Sequence, residues 1–136
     1  MSNMSILNKA VTSTLHYMPK WFAKPFAKPY VAGESIDEVL KQVKLLNSKG
    51  FCATIDILGE YTLKKEEAKK VTSDYCKLYD KIFENKLDCN ISLKLTHIGL
   101  SISYEQTIDN ISKILSFAKK YKNFLRIDME SSNSQN

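Results

Sequence analysis

The sequence has no apolar run near the roughly 18 consecutive residues that a membrane-spanning helix needs. Its N-terminus also lacks the continuous apolar stretch of a secretory signal peptide. The 136 residues carry ordinary fractions of apolar (43%) and charged (26%) side chains, which are typical of a folded soluble protein. This length suits one compact domain with a modest core.

Cysteine and histidine are scarce, and their spacing is uninformative for metal binding. Cys52, Cys76 and Cys89 are an odd number, lie far apart and form no CxxC pair. His16 and His97 are too few and too distant to suggest a ligand cluster. The pattern argues against a disulfide framework or a zinc site and favours the reduced cytoplasm. We expect no metal.

Arginine is nearly absent: Arg126 is the only one, and the net charge of +5 comes almost entirely from lysine. The lysines alternate with acids in "LKKEEAKK", as on solvated helix faces. Without an arginine-rich stripe or a binding motif, we expect no nucleic-acid partner. The aromatic and basic segment at residues 16–30 could lie on the inner face of an anionic membrane, or it could pack over the domain.

The chain divides into an N-terminal arm (1–34), a central region (35–130) and a polar tail (131–136) that we expect to be disordered. Pro25 and Pro29 limit the arm to a short helix before Pro19. In the central region, helical and strand patterns alternate. The strands are predicted at residues 51–58, 89–95 and 124–129. This alternation predicts a parallel sheet covered by helices.

The helix boundaries follow from capping patterns. Ser35 and Glu38 form a capping box that opens the first helix, and Gly50 supplies its left-handed C-cap. Thr62 is expected to cap the second helix, and Ser103 the third. The first helix is expected to bury a face that includes Leu40, Val43 and Leu46. The third helix is expected to bury Ile108, Ile111, Leu115 and Ala118.

Each strand has one apolar face and one face that carries a charge, because side chains alternate along a strand. The charged residues are Asp56, Lys94 and Asp128, each toward the carboxyl end of its strand. A doubly wound sheet would be apolar on both faces, whereas a (β/α)8 barrel carries catalytic groups at these strand ends. The alternative is that these three charged residues form a purely structural ion-pair network. Apolar residues can often take the place of such a network.

Four segments in register, "YVAGES", "ATIDILGE", "ISLKLTHIGL" and "LRIDME", resemble the proline dehydrogenase family, especially its short bacterial members. The resemblance covers about residues 30–131. It implies an FAD-dependent (β/α)8 barrel that oxidises L-proline to pyrroline-5-carboxylate. The ring carbon gives a hydride to FAD, and the electrons then pass to a membrane quinone.

The resemblance also assigns roles to residues. Lys94 would hold the carboxylate of the substrate, and Asp128 would be the active-site residue beside substrate and flavin. Met129 would approach the flavin through its backbone. Glu60 would be the acidic half of a gate that pairs with an arginine later in the family chain, and Asp56 would be a supporting interior acid.

The family barrel needs eight strands and typically about 250 residues, whereas three strands are predicted here. The expected fold is therefore a partial TIM-type barrel with three parallel strands, corresponding to a truncated, N-terminal portion. We expect the isolated chain neither to bind FAD tightly nor to oxidise proline. A complementing chain could restore both activities, and exposed sheet edges would favour self-association. Two alternatives stay open: a non-enzymatic remnant or interaction module, and a small domain that binds an anion at Lys94.

Overall fold

A computed structural model describes residues 32, 33 and 35–129. The chain divides into two units, residues 1–38 and residues 39–136. The predicted arm lies outside the described residues apart from residues 32 and 33, and the predicted tail lies wholly outside them. In the part of the chain that is described, no helix is long and apolar enough to cross a membrane.

Helices and strands alternate, as predicted, and the three strands form one parallel sheet in the order β1-β2-β3. The elements are α1 (Ile36–Ser48), β1 (Ala53–Asp56), α2 (Lys65–Glu84), β2 (Cys89–Leu93), a 3-10 turn (Leu95–Ile98), α3 (Tyr104–Lys120) and β3 (Leu125–Ile127). The prediction of an α/β fold with three parallel strands and covering helices is confirmed. All three strands are shorter than predicted, because the chain turns into loops directly after Asp56, Leu93 and Ile127.

Two of the three predicted helix starts are confirmed. The hydroxyl of Ser35 accepts a hydrogen bond from the amide of Glu38 at 3.3 Å, and Ser103 Oγ accepts one from the amide of Gln106 at 3.3 Å. These bonds satisfy amides that the first helical turn leaves unpaired. Gly50 adopts the left-handed conformation expected after α1, with φ of +83°.

The prediction that Thr62 caps the second helix is wrong. This helix begins at Lys65, and the residue before it, Lys64, makes no side-chain cap. Thr62 is buried and donates its hydroxyl proton to the carbonyl of His97 at 2.7 Å. Its hydroxyl is therefore committed to a neighbouring loop, a contact between residues far apart in sequence that a local capping pattern does not contain.

The core lies between the sheet and α2. This helix buries Ala68, Tyr75, Leu78, Tyr79 and Ile82, and the strands bury Ile55, Ile91 and Leu93 against the helices. Tyr79 also donates its hydroxyl proton to the carbonyl of Phe124 at 3.0 Å, just before β3. The helix therefore anchors the entry to β3 as well as covering β2.

The predicted buried face of α3 is wrong, except at Ala118. The helix buries Thr107, Asn110, Ile114 and Ala118 instead. Asn110 fits this face because its amide donates to the carbonyl of Ile98 at 2.9 Å. The apolar residues Tyr104, Ile108, Ile111 and Leu115, here named the α3 stripe, lie on another side; Ile108 and Leu115 are 45% and 46% exposed. Similarly, Leu46 of α1 was expected to be buried and is exposed, while Leu40 and Val43 are buried.

Candidate functional site

Charged side chains collect at the carboxyl ends of the three strands. Asp56 is the last residue of β1, Lys94 follows β2 directly, and Asp128 follows β3. The register pairs Asp56 with Ser92 and Ser92 with Arg126, so alternation places all five side chains on one face of the sheet. We name this surface the charged face. The opposite face carries the buried apolar residues of β1 and β2.

The charges on this face act on one another. Partial burial raises the pKa of the Asp56 carboxyl, and the negative charge of Asp128 raises it further. The ammonium of Lys94 opposes both effects, as does a hydrogen bond that the Tyr75 hydroxyl donates to Asp56 Oδ1 at 3.4 Å. The three residues that the strand pattern singled out therefore share one electrostatic environment.

Asp128 has a fixed orientation within the described chain. Arg126 donates from Nε to Oδ1 at 2.6 Å and from Nη2 to Oδ2 at 3.3 Å. This two-point contact is the main cause of the lowered pKa of Asp128, and a hydrogen bond from Ser92 acts in the same direction. The one arginine of the sequence therefore pairs with the carboxylate at the end of its own strand.

Lys94 forms an ion pair with Glu60, which lies in the loop between β1 and α2. The side chain of Lys94 is 27% exposed and that of Glu60 is 48% exposed, so solvent reaches both partners. Sequence reasoning assigned Glu60 to a gate with a later arginine. In this chain the ammonium of Lys94 contacts that carboxylate instead. An incoming carboxylate must therefore compete with Glu60 for Lys94.

Two polar residues of this region were not predicted as site residues. Ser92 is buried and hydrogen-bonds Asp128; its position two residues before Lys94, on the same strand face, was a usable signal. Tyr75 is fully buried on α2, and its hydroxyl reaches Asp56. No sequence signal marks Tyr75, because its position on the apolar side of α2 already explains an aromatic residue there.

The described residues do not fit a whole FAD. Met129, the residue expected to meet the flavin, is 89% exposed at the open end of β3. The two cations of the charged face, Lys94 and Arg126, are each engaged by a carboxylate, so a pyrophosphate would have to displace one of them. A cavity of about 390 Å³ lies at the other end of the sheet, beside residues 82–84, 86, 87, 121 and 123.

The described residues contain no group of three or more histidine, cysteine, aspartate or glutamate side chains able to hold a metal ion. What the charged face offers is a lysine and an arginine flanked by carboxylates at the end of a parallel sheet. Chemically, such a surface can bind a small carboxylate through the lysine while nearby acids lower the cost of the positive charge.

Comparisons with known proteins agree on one family. A family model described as "Proline dehydrogenase" matches residues 39–136. "Proline dehydrogenase 1" of Bacillus subtilis subsp. natto is 45% identical over 114 residues, which are 80% of this chain and 38% of that protein. "Proline dehydrogenase" of Deinococcus radiodurans is 28% identical over 107 residues, which are 76% of this chain and 34% of that protein.

A solved structure supports the fold. The crystal structure of proline utilization A (PutA) from Bdellovibrio bacteriovorus, inactivated by N-propargylglycine, superposes with a TM-score of 0.67 at 23% sequence identity. The match covers 75% of this chain and 13% of that chain. The chain thus spans well under half of the length of each of these relatives.

Proposed function

Because this chain belongs to the proline dehydrogenase family, we propose that it supplies the substrate-carboxylate side of a site that oxidises L-proline to pyrroline-5-carboxylate. One observation carries the proposal: Lys94, Asp56 and Asp128 act on one another at the carboxyl ends of parallel strands. Enzymes built on the (β/α)8 barrel carry their active sites at that end.

In this proposal Lys94 binds the carboxylate of proline, and Glu60 moves aside when the substrate arrives. The exchange of one carboxylate for another keeps the ammonium neutralised throughout. Asp56 keeps the positive charge tolerable in a site that further strands would shield from water. Asp128, held by Arg126 and Ser92, would then face the substrate and the flavin, with the backbone of Met129 beside the flavin.

FAD, when bound, would accept the hydride from the ring carbon of proline. The residues described here do not hold FAD by themselves, so we propose that most of its contacts come from outside them. The proposed electron acceptor is a membrane quinone, which implies a cytoplasmic enzyme that meets the inner face of the membrane. The contribution of this chain is to bind and orient the substrate.

The proposal requires further strands, and the structure offers a place for them. Among the described residues, β3 has a free edge on the side away from β2, and Ile127 on this strand is 48% exposed. Three residues of the α3 stripe, Tyr104, Ile108 and Leu115, are also exposed. An open strand edge and an uncovered apolar helix face are what a following strand and helix would cover. We propose that a complementing chain covers them in the active form, and that self-association covers them otherwise.

The direct test is complementation. This chain is co-expressed with the part of Bacillus subtilis proline dehydrogenase 1 that lies beyond its match, and the complex is purified. We expect a flavin absorbance spectrum and dye reduction that depends on proline, neither of which the isolated chain should give. Lys94→Met should raise the KM for proline at least about tenfold, as expected for losing a charge-assisted hydrogen bond.

Lys70→Met is the matched control, because Lys70 lies exposed on α2 and pairs with Asp74. It should leave the KM unchanged. Flavin binding or proline oxidation by the isolated chain would contradict the need for completion. A complex whose KM is the same with and without Lys94 would contradict the proposed role of this residue.

A second candidate function is an interaction module without redox chemistry. The exposed α3 stripe favours it, since monomeric proteins seldom leave such a stripe uncovered. Size-exclusion chromatography with light scattering separates the two candidates when it is combined with the flavin spectrum. A stoichiometric complex that carries no flavin and oxidises no proline would favour the module.

A further inference from the structure

Two loops that flank the charged face are joined by a set of hydrogen bonds. One is the β1–α2 loop, residues 57–64, and the other is the 3-10 turn Leu95–Ile98 after β2. The amide of Thr62 donates to the carbonyl of Thr96 at 3.2 Å, and the Thr62 hydroxyl donates to the carbonyl of His97 at 2.7 Å. The amide of Tyr61 donates to Thr96 Oγ1 at 3.4 Å. The β1–α2 loop therefore follows the turn closely.

The imidazole of His97 fills the space between these loops. The ring lies directly against Gly59: a Cβ atom added there would stand 2.2 Å from His97 Nε2 and 2.6 Å from Cε1. His97 is only 7% exposed, and its ring makes a hydrogen bond with the backbone of Ile57. Tyr75 meets the ring edge-on, with centroids 6.3 Å apart. The ring is thus packed and oriented from two sides.

His97 connects the two members of the ion pair. Its amide donates to the carbonyl of Lys94 at 3.1 Å, so the turn fixes the ring relative to the lysine. On its other side the ring contacts Gly59, whose neighbour in the chain is Glu60. The distance between the Glu60 carboxylate and the Lys94 ammonium therefore depends on the packing of the His97 ring against Gly59.

We propose that His97 is a positioning residue that holds the β1–α2 loop so that the carboxylate of Glu60 reaches the ammonium of Lys94. This positioning affects substrate binding. Glu60 contacts the ammonium that a substrate carboxylate would bind, so His97 sets how strongly Glu60 competes with the substrate for Lys94. That last step rests on the proposed function, whereas the positioning of Glu60 does not.

The surroundings of His97 fit a neutral ring. Burial is the largest influence on the pKa of His97 and lowers it. Asp56 and Glu67 act in the opposite direction, and a smaller effect of Lys94 adds to the lowering. Within the described chain Nδ1 is buried and has no hydrogen-bond partner, which a neutral ring tolerates better than a charged one.

The ion pair can be observed in the isotope-labelled 136-residue chain without proline or FAD. The side-chain ammonium signal of Lys94 in a proton–nitrogen spectrum reports its contact with a carboxylate through its proton exchange rate, and Lys94→Met identifies the signal. We expect His97→Ala to speed this exchange several-fold, in line with losing a partly exposed ion pair. His97→Phe keeps a flat ring against Gly59 and should retain most of the wild-type signal.

Gly59→Ala tests the same contact from the other side. The new methyl group collides with the imidazole, so we expect this variant to lose the slow ammonium exchange. Combining Gly59→Ala with His97→Ala should speed the exchange no further than Gly59→Ala alone, because both changes disrupt the same contact. This lack of additivity keeps the proposal testable even where the single alanine variant at position 97 folds poorly.

Ile98→Val is the control, since Ile98 is fully buried in the same turn but is not among the atoms that meet Gly59. It should alter thermal stability without changing the exchange at Lys94. An unchanged Lys94 signal in His97→Ala would overturn the proposal, as would an equal change in the control or a double variant whose effect is the sum of the two single effects. Failure of the complementation experiment would leave this result standing.

Discussion

Asp56 and Asp128 carry the same functional group on one face of the sheet, yet their pKa values shift in opposite directions. Burial dominates at Asp56 and raises its pKa. The Arg126 guanidinium dominates at Asp128 and lowers its pKa. The difference follows from their surroundings: partial burial and the charge of Asp128 act on Asp56, whereas the Arg126 guanidinium makes two hydrogen bonds to Asp128. The two acids have equivalent places in the strand pattern, yet they contribute differently to the free energy of unfolding.

The sign for Asp56 gives a prediction about pH. Its pKa in the folded chain lies above the unfolded value of 3.8, so the folded state binds the proton more tightly. The contribution of Asp56 to the free energy of unfolding therefore falls as the pH rises through that window. Asp56→Asn should stabilise the chain at pH 7 by up to about 1 kcal/mol, because solvent screens part of the effect, and should not stabilise it near pH 3.

Urea unfolding at pH 3, 5 and 7 measures this difference, with Asp109→Asn on an exposed part of α3 as the control. Asp128 should behave oppositely, because its folded pKa is lowered. Its stabilising contribution is present above 3.8 and disappears as the pH falls through its folded pKa. Equal stability of Asp56→Asn and wild type at every pH would contradict the raised pKa of Asp56.

At the scale of the element, α3 shows where pattern reading succeeds and where it fails. Its start at Ser103 was predictable, because a cap depends on residues three positions apart. Its buried face was not, because a count of apolar residues selects the α3 stripe. The real contact face uses Thr107 and Asn110, which are small enough or sufficiently hydrogen-bonded to pack closely. Burying Asn110 is favourable only because the 3-10 turn supplies the carbonyl of Ile98 as its hydrogen-bond acceptor.

Two isoleucines of α3 provide a matched test of this assignment. Ile114 is fully buried, whereas Ile108 is about half exposed. Ile114→Ala should lower the free energy of unfolding by about 2–5 kcal/mol, through lost burial and the cavity left behind. Ile108→Ala should change it by under about 0.5 kcal/mol in the isolated chain. Urea denaturation measures both values, and similar costs would mean that the α3 stripe is covered in solution.

At the scale of the whole molecule, the strands of the sheet differ in how well pairing and burial protect them from local opening. β2 pairs on both sides, with β1 and with β3, and its apolar residues are fully buried. β3 has three residues and, within the described part of the chain, one free edge. A unit with these features is expected to open locally from β3 before it unfolds globally.

Native-state hydrogen exchange tests this expectation. Backbone amides within β2 should exchange at least about tenfold more slowly than the Asp128 amide, which donates to the carbonyl of Leu93 at the β3 end, because local opening needs less free energy than global unfolding. In the complex with a complementing chain, the amides of β3 should become protected as well. Equal protection of β2 and β3 in the isolated chain at low concentration would contradict the picture of an open edge.

The sequence by itself determined the order of the elements, the parallel sheet and the alternation that places Asp56, Lys94 and Asp128 on one strand face. These follow from periodicity and capping, which act between residues close in the chain. Tertiary structure alone decided that Thr62 bonds the carbonyl of His97, that Glu60 meets Lys94 and that Tyr75 reaches Asp56. Those contacts join residues 19 to 35 positions apart, and their energies depend on burial and mutual orientation, which exist only once the chain has folded.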